Sequence, residues 1–233
     1  MDRKTKEKLL RIVKTNYEEI AEDFHETRKK FLWPELLKLT AVVRSGDRVL
    51  DAGCGNGRLL GAFQGKKINY TGIDASEELI KLAHRSTAAV NFVNLDILEL
   101  NKLPVGDFDY VFSVAVLHHL PGQDLRIEAL RQMKNKLGPG GKIILSVWNL
   151  WPRKKFRALI VKQAFLKIIG RNRMDFGDIL FDWKNNRGKT VSQRYYHAFT
   201  KRGLKKIIKQ VGLKIEKLYK DEHNYYAILR SAP

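Results

Sequence analysis

The sequence predicts an α/β fold built around a mostly parallel sheet, and three observations predict it. Apolar runs of strand length alternate with helical patterns from about residue 47 onward. The first run, Val49-Leu50-Asp51-Ala52, leads straight into a glycine turn, Gly53-Cys54-Gly55-Asn56-Gly57. A second run, Tyr70-Thr71-Gly72-Ile73, ends in Asp74, 17 residues beyond the last glycine. Strand, tight turn and helix start are the parts of a nucleotide-type site in a doubly wound sheet.

The elements follow in order. Residues 90–97 read as a third strand carrying Asp96 near its end. Residues 109–116 are apolar almost throughout, as a strand covered on both faces should be. Leu137-Gly138-Pro139-Gly140-Gly141 reads as a turn before a fifth strand over 142–148. Helical patterns fill 76–86 and 124–136, with Ser76 and Asp124 as N-caps. Residues 200–211 read as the last helix, and 213–219 with 224–230 as a closing hairpin.

The spacing of the glycines narrows the ligand. A dinucleotide turn reads G-x-G-x-x-G and presents a helix N-terminus to a pyrophosphate. Here the glycines are 53, 55 and 57, position 58 is Arg, and Asp51 stands two residues before the first glycine. A carboxylate there repels a pyrophosphate and suits a ligand with a cationic amino-acid moiety, such as S-adenosylmethionine. Asp74, at the tip of the second strand, is placed to accept from both ribose hydroxyls. Cys54 reads as a small side chain in a tight place rather than a nucleophile.

Composition points to one domain spanning 1–233. The single cysteine excludes an internal disulfide and, with no apolar N-terminal segment of secretory type, suggests a cytoplasmic protein. No apolar run reaches the length of a membrane span. No metal-ligand pattern stands out, and no metal is expected.

Charge is distributed unevenly. Residues 1–44 carry a net +3, residues 45–149 a net +1, and residues 150–233 a net +15, with 21 Lys or Arg against 6 Asp or Glu. Such a bias fits a polyanionic partner whose phosphates supply most of the affinity. A membrane surface is the competing polyanion, because Phe156, Leu159, Ile160, Ala164, Phe165 and Ile168 make the stretch amphipathic.

Further segments carry a resemblance. They are Tyr17-x-x-Ile20-Ala21-x-x-Phe24, then Thr27-Arg28 followed by Trp33-Pro34, Ala115 to Leu120 with its His118-His119 pair, Val147-Trp148, and Arg194-Tyr195-Tyr196-His197. With the glycine turn they make the chain similar to the tRNA wobble-uridine carboxymethyl methyltransferases, both the yeast-type enzyme and the methyltransferase domain fused to an AlkB-type oxygenase. Two departures stand out. Four residues separate Thr27-Arg28 from Trp33-Pro34 where the family usually has three, and Leu180-Phe181-Asp182-Trp183 stands where the family tends to carry Val-Pro-Trp.

The resemblance implies a class I (Rossmann-like) methyltransferase fold with a seven-strand sheet. It further implies an N-terminal helical lid over 1–44, a cofactor core over 45–149, a basic insertion over 150–195 after the fifth strand, and the last helix and hairpin over 196–233. The implied cofactor is S-adenosyl-L-methionine, contacted by Asp51, Gly53, Cys54, Gly55, Gly57, Asp74, Ala75, Asp96, Ile97, Ser113 and Val114, with Tyr17 and Trp33 from the lid. Asp96 would meet the adenine amino group. The implied partners are the tRNA anticodon loop and a small zinc-ribbon activator protein.

The implied reaction esterifies the carboxylate of 5-carboxymethyluridine at the wobble position. That carboxylate is already ionised at neutral pH, so no strong base is required. The pocket must bind the anion, exclude its water and hold one oxygen in line with the methyl. Arg28, His118, His119, Arg194 and His197 are the catalytic candidates, and Arg28 has a second possible role on the cofactor's own carboxylate. Alternation of aromatic and cationic residues at 194–197 also suits an unpaired base with phosphates beside it. The rival expectations are a small-molecule methyltransferase of the quinone-biosynthesis type and a non-catalytic RNA-binding protein with the same fold.

Overall fold

The computed structural model describes residues 1–28, 32–87, 90–184 and 190–231. Lys29-Lys30-Phe31, within the Thr-Arg to Trp-Pro spacing, and 185–189 of the basic insertion lie outside the described residues.

Seven strands form the main sheet. They are β1 (Arg48–Ala52), β2 (Asn69–Asp74), β3 (Asn91–Asn94), β4 (Phe108–Val114), β5 (Leu137–Trp148), β8 (Leu213–Lys220) and β9 (Asn224–Ser231). Their order is β3-β2-β1-β4-β5-β9-β8, with only β9 and its hairpin partner β8 introducing antiparallel pairs. The order reverses between β1 and β4, so the crevice beyond their carboxyl ends is the topological switch point. Alternate residues feed the two faces. Leu50, Val111 and Ile143 pack with Leu130 of α5 (Gln123–Lys134) and Leu204 and Ile208 of α7 (Lys201–Gln210). Val49, Phe112 and Ile144 pack on the other face with Leu36 of α3 (Pro34–Thr40) and Ile80 of α4 (Glu77–Ser86).

Local chemistry altered several boundaries. The expected helix after the glycine turn is a six-residue 3-10 segment, Arg58–Phe63. Gly57 enters it in the left-handed region without a side-chain cap, and Gly61 weakens its interior. The third strand is cut to four residues because the Asp96 carboxylate accepts the Leu98 N–H at 2.9 Å and opens another 3-10 turn. Ser76 caps α4 as expected, its Oγ accepting from Leu79 N at 3.3 Å. Asp124 does not cap α5: Gly122 stands there, and the Asp124 carboxylate pairs with Lys6. The expected turn at 137–141 is the start of β5. A side chain at Gly141 would come within 2.5 Å of the Phe108 carbonyl, so glycine lets β4 and β5 approach there.

The lid consists of α1 (Arg3–Glu19), α2 (Ala21–Arg28) and α3. Glu18 of α1 accepts the Glu77 and Glu78 N–H groups at 3.0 and 3.3 Å, placing a carboxylate on the N-terminus of α4. The insertion holds α6 (Lys154–Ile168) and a separate antiparallel pair, β6 (Asp178–Lys184) and β7 (Thr190–His197), which the sequence patterns did not reveal. Strand β7 runs two residues past the expected boundary at 195. Leu9 of α1 packs on Tyr195 of β7, so the insertion and the lid share a small core.

A buried ionic cluster fastens this hairpin to α5. Asp178 is fully buried and accepts from the Asp175 N–H at 2.9 Å. Its carboxylate lies 2.7 Å from His197 Nδ1 and 3.9 Å from the buried Arg126 guanidinium, which also donates to the Leu120 carbonyl at 2.9 Å. Removing one member of such a cluster strands the others. Arg126→Met is expected to lower stability by about 3 kcal/mol in denaturant titration. A change within experimental error would show that the cluster contributes no net stability.

Candidate active site

A cleft of about 930 Å³ opens at the carboxyl ends of β1, β2, β4 and β5, beneath the lid. Its floor is the glycine turn. Gly53 has φ +88°, and a Cβ there would lie 2.3 Å from Val116 Cγ2. That position therefore tolerates glycine alone. Ala115, just past β4, also adopts positive φ (60°) and is held by its N–H on Ser146 O at 3.0 Å.

Three carboxylates converge on one side of the cleft. Asp51 is buried, and Tyr70 O–H donates to it at 2.6 Å. Burial, reinforced by the charge of Asp74 against the lowering effect of the Tyr70 bond, raises its pKa to about 7. Asp74 accepts Gly55 N–H at 2.8 Å and Ser76 N–H at 2.9 Å, yet burial still raises it to about 6. Asp96 is raised too, chiefly by burial. Carboxylates pushed upward in this way gain from a cationic ligand and repel a pyrophosphate. This donor set fits the ammonium and ribose hydroxyls of S-adenosylmethionine. Ala75, Ile97, Val114, Gly53, Cys54 and Gly55 line the same wall.

Two of the expected cofactor contacts face elsewhere. Gly57 packs beneath Phe92, whose ring a Cβ would meet at 2.8 Å, and Ser113 is fully buried within β4 and does not line the cleft. Cys54 is buried with its thiol on the Gly55 carbonyl at 3.6 Å, and burial pushes its pKa well up, so it packs rather than attacks.

The lid supplies the opposite wall. Tyr17, Phe24, Arg28 and Trp33 all reach the cleft. Trp33 Nε1–H donates to Tyr226 O–H at 2.9 Å, which fixes the indole. The Arg28 guanidinium lies 4.6 Å from the Phe24 ring centroid. Tyr17 O–H lies 2.9 Å from His119 Nε2 with the rings edge to face. Burial, helped by the nearby Arg194 charge, lowers the His119 pKa to about 3, so this imidazole is neutral at physiological pH. Tyr17 is raised by burial, and the Arg194 and Arg28 charges both oppose the rise. Tyr196, raised by burial, feels the same two arginines. Arg28 from the lid and Arg194 from β7 thus line the same cleft as Tyr17, His119, Trp148 and Tyr196, and both charges reach Tyr17 and Tyr196.

Two catalytic candidates lie outside this box. His118 is fully buried, stacked on Trp148 with centroids 4.8 Å apart, and accepts Trp148 N–H on Nδ1 at 3.4 Å. It positions the Trp148 ring. His197 belongs to the Asp178 cluster behind β7. In a strand neighbouring residues face opposite sides, which puts Tyr196 in the cleft and His197 behind it.

Arg58, Arg153, Asp221, His223 and Asn224 also line the cleft, and none of them belongs to the motifs that mark the site in the sequence. Arg58 was visible as the residue after the last glycine. Its guanidinium lies 5.2 Å from the Trp33 centroid, within electrostatic reach of Asp51, and burial lowers its pKa. The others are brought in by the β8–β9 turn and the start of α6, which no local motif marks.

Sheet order and site together define a class I S-adenosylmethionine-dependent methyltransferase. The sequence profile of the methyltransferase-domain family matches residues 24–218, and the chain belongs to that family. A protein of Encephalitozoon cuniculi with a provisional methyltransferase name is 32% identical over 219 residues, 94% of this chain and 95% of its own length. The tRNA (carboxymethyluridine(34)-5-O)-methyltransferase of Schizosaccharomyces pombe is 26% identical over 222 residues, 91% of this chain and 92% of its own. The enzyme of that name from Macaca fascicularis is 37% identical over 136 residues, but the match spans only 19% of its length. A ubiquinone biosynthesis O-methyltransferase of Dechloromonas aromatica is 30% identical over 140 residues, 58% of this chain and 59% of its own. The CcbJ methyltransferase of Streptomyces caelestis shares the fold with a TM-score of 0.70 at 17% identity, over 95% of this chain and 99% of that one.

The raised Asp51 has a consequence for stability. Its folded pKa of about 7 exceeds the roughly 4 of an unfolded aspartate. The folded chain therefore holds more protons between those values, and its stability falls as pH rises from about 4 to 7. Asp51→Asn removes this contribution. Thermal melts of the cofactor-free protein should show the variant gaining on the wild type as pH increases across that window, with cofactor affinity lost. Parallel melting curves across the window would contradict the assignment.

Proposed function

We propose that the protein methylates the carboxylate of 5-carboxymethyluridine at the wobble position of tRNA. The observation that carries this reading is the pair of arginines, Arg28 and Arg194, whose charges reach an aromatic box that contains no ionised base. His119 is neutral, and Tyr17 and Tyr196 are held protonated by burial. Such a pocket suits a nucleophile that is already an anion.

S-adenosylmethionine, when bound, supplies an electrophilic methyl group. The chain's residues do the rest. Asp51 takes the cofactor's ammonium and Arg58 its carboxylate, two opposite charges that match an amino-acid zwitterion. Asp74 accepts from the ribose hydroxyls, and Asp96 from the adenine amino group. Arg28 and Arg194 draw in the substrate carboxylate and orient it. Tyr17, locked to His119, closes the lid side and excludes water. Tyr196 and Trp148 offer faces on which a splayed-out base can stack. A tRNA-sized polyanion also accounts for the exposed Lys201, Arg202, Lys205, Lys206 and Lys209 on α7. A zinc-ribbon activator and a cytoplasmic location belong to the same proposal. The likeness to a ubiquinone-pathway enzyme favours a small-molecule acceptor as the second reading, and the basic face of α7 has no role in it.

The division of labour among the arginines is testable by calorimetry and kinetics. Arg58→Leu should weaken S-adenosylhomocysteine binding by roughly 10- to 100-fold, the worth of one charged hydrogen bond. It should leave 5′-methylthioadenosine, which lacks the amino-acid moiety, unchanged. Arg194→Leu should leave both ligands unchanged and cut methyl transfer to carboxymethyluridine tRNA by at least about tenfold. Loss of both ligands in Arg58→Leu, or full activity in Arg194→Leu, would overturn the assignments.

A further inference from the structure

Among the described residues, nothing covers the outer face of α6. Val161, Phe165 and Ile168 are 60, 61 and 73% exposed, spaced along one helical stripe, with Ile169 and Phe176 exposed just beyond the helix. These are five of the seven well-exposed large hydrophobic side chains among the described residues. The inner face of the same helix is already satisfied: Ile160 is buried, and Phe156 and Leu159 pack with it against β6. The stripe is therefore a second apolar face, not the packing surface of the helix.

Its rim is strongly cationic. Residues 150–176 contain eight Lys or Arg and one acidic residue, Asp175, which is paired with the Met1 ammonium at 3.2 Å. Lys154, Lys155, Arg157, Lys162, Arg171 and Arg173 are all exposed there. This combination discriminates among occupants. A second copy of the chain would bring two cationic rims together. An RNA would satisfy the cations but give no partner to Val161, Ile168 and Ile169. An anionic lipid surface satisfies both, with cations at the headgroups and the stripe at the acyl boundary.

We propose that α6 docks this protein on anionic membrane surfaces by lying flat in the interface. No helix among the described residues is long and apolar enough to cross a bilayer, so the contact is peripheral. The proposal does not depend on the identity of the methyl acceptor, because none of the stripe residues lines the cleft.

Sedimentation with vesicles tests it, using the full chain. Vesicles of phosphatidylcholine with about 30% phosphatidylserine should pull the protein down at physiological salt, and pure phosphatidylcholine should not. The variant Phe165→Ser/Ile168→Ser should bind the anionic vesicles at least about tenfold more weakly. Its S-adenosylhomocysteine affinity should match that of the wild type, which verifies folding. Failure of the wild type to bind anionic vesicles overturns the proposal. So does undiminished binding by the serine variant, which would reduce the effect to non-specific charge. Loss of tRNA affinity in that variant, with vesicle binding intact, would assign the stripe to RNA instead.

Discussion

A buried carboxylate near the end of β1 and a half-buried one at the end of β2 set the terms for the rest of the structure. Asp51 lies beside the reversal of strand order and Asp74 on the neighbouring strand, both against a turn whose glycines let the backbone close around a ligand. Both are raised by burial, so their ionised forms gain from a cationic ligand. The site is preorganised at the expense of apoprotein stability. The lid, the Arg58–Trp33 contact and the capping of α4 by Glu18 are all arranged around that turn.

The other half of the cleft is organised by charge of the opposite sign. Arg28 arrives from the lid and Arg194 from the insertion, two segments far apart in sequence. Both line the cleft, where α1 packs on β7 through Leu9 and Tyr195 and the Asp178 cluster ties β7 to α5. The buried cluster thus holds β7, and with it one wall of the site, against α5.

Much of this was legible in the sequence. Local patterns reported the strands and the glycine turn, because apolar periodicity and turn chemistry are short-range signals. Asp51, Asp74 and Asp96 were legible for the same reason, each closing or following an apolar run. The hairpin β6–β7 was not, because its two strands pair only with each other, Leu180 opposite Tyr195 and Phe181 opposite Arg194, and show no clean alternation. His118 and His197 were grouped with His119 as candidates because a sequence does not say which face a side chain takes. Arg58 was passed over although adjacent to the turn. Its role depends on Trp33, which the lid brings over it from 25 positions earlier in the chain. Arg153, Asp221 and His223 come from loops that only the tertiary fold draws together.

The most direct measurement incubates the protein and labelled S-adenosylmethionine with tRNA bearing wobble carboxymethyluridine, with and without a zinc-ribbon activator, and analyses the nucleosides by mass spectrometry. A methyl ester is expected on that one nucleoside, absent from tRNA whose side chain carries a carboxamide in place of the acid. Methyl transfer to the carboxamide form, or none to the acid under either condition despite cofactor binding, would contradict the proposed function.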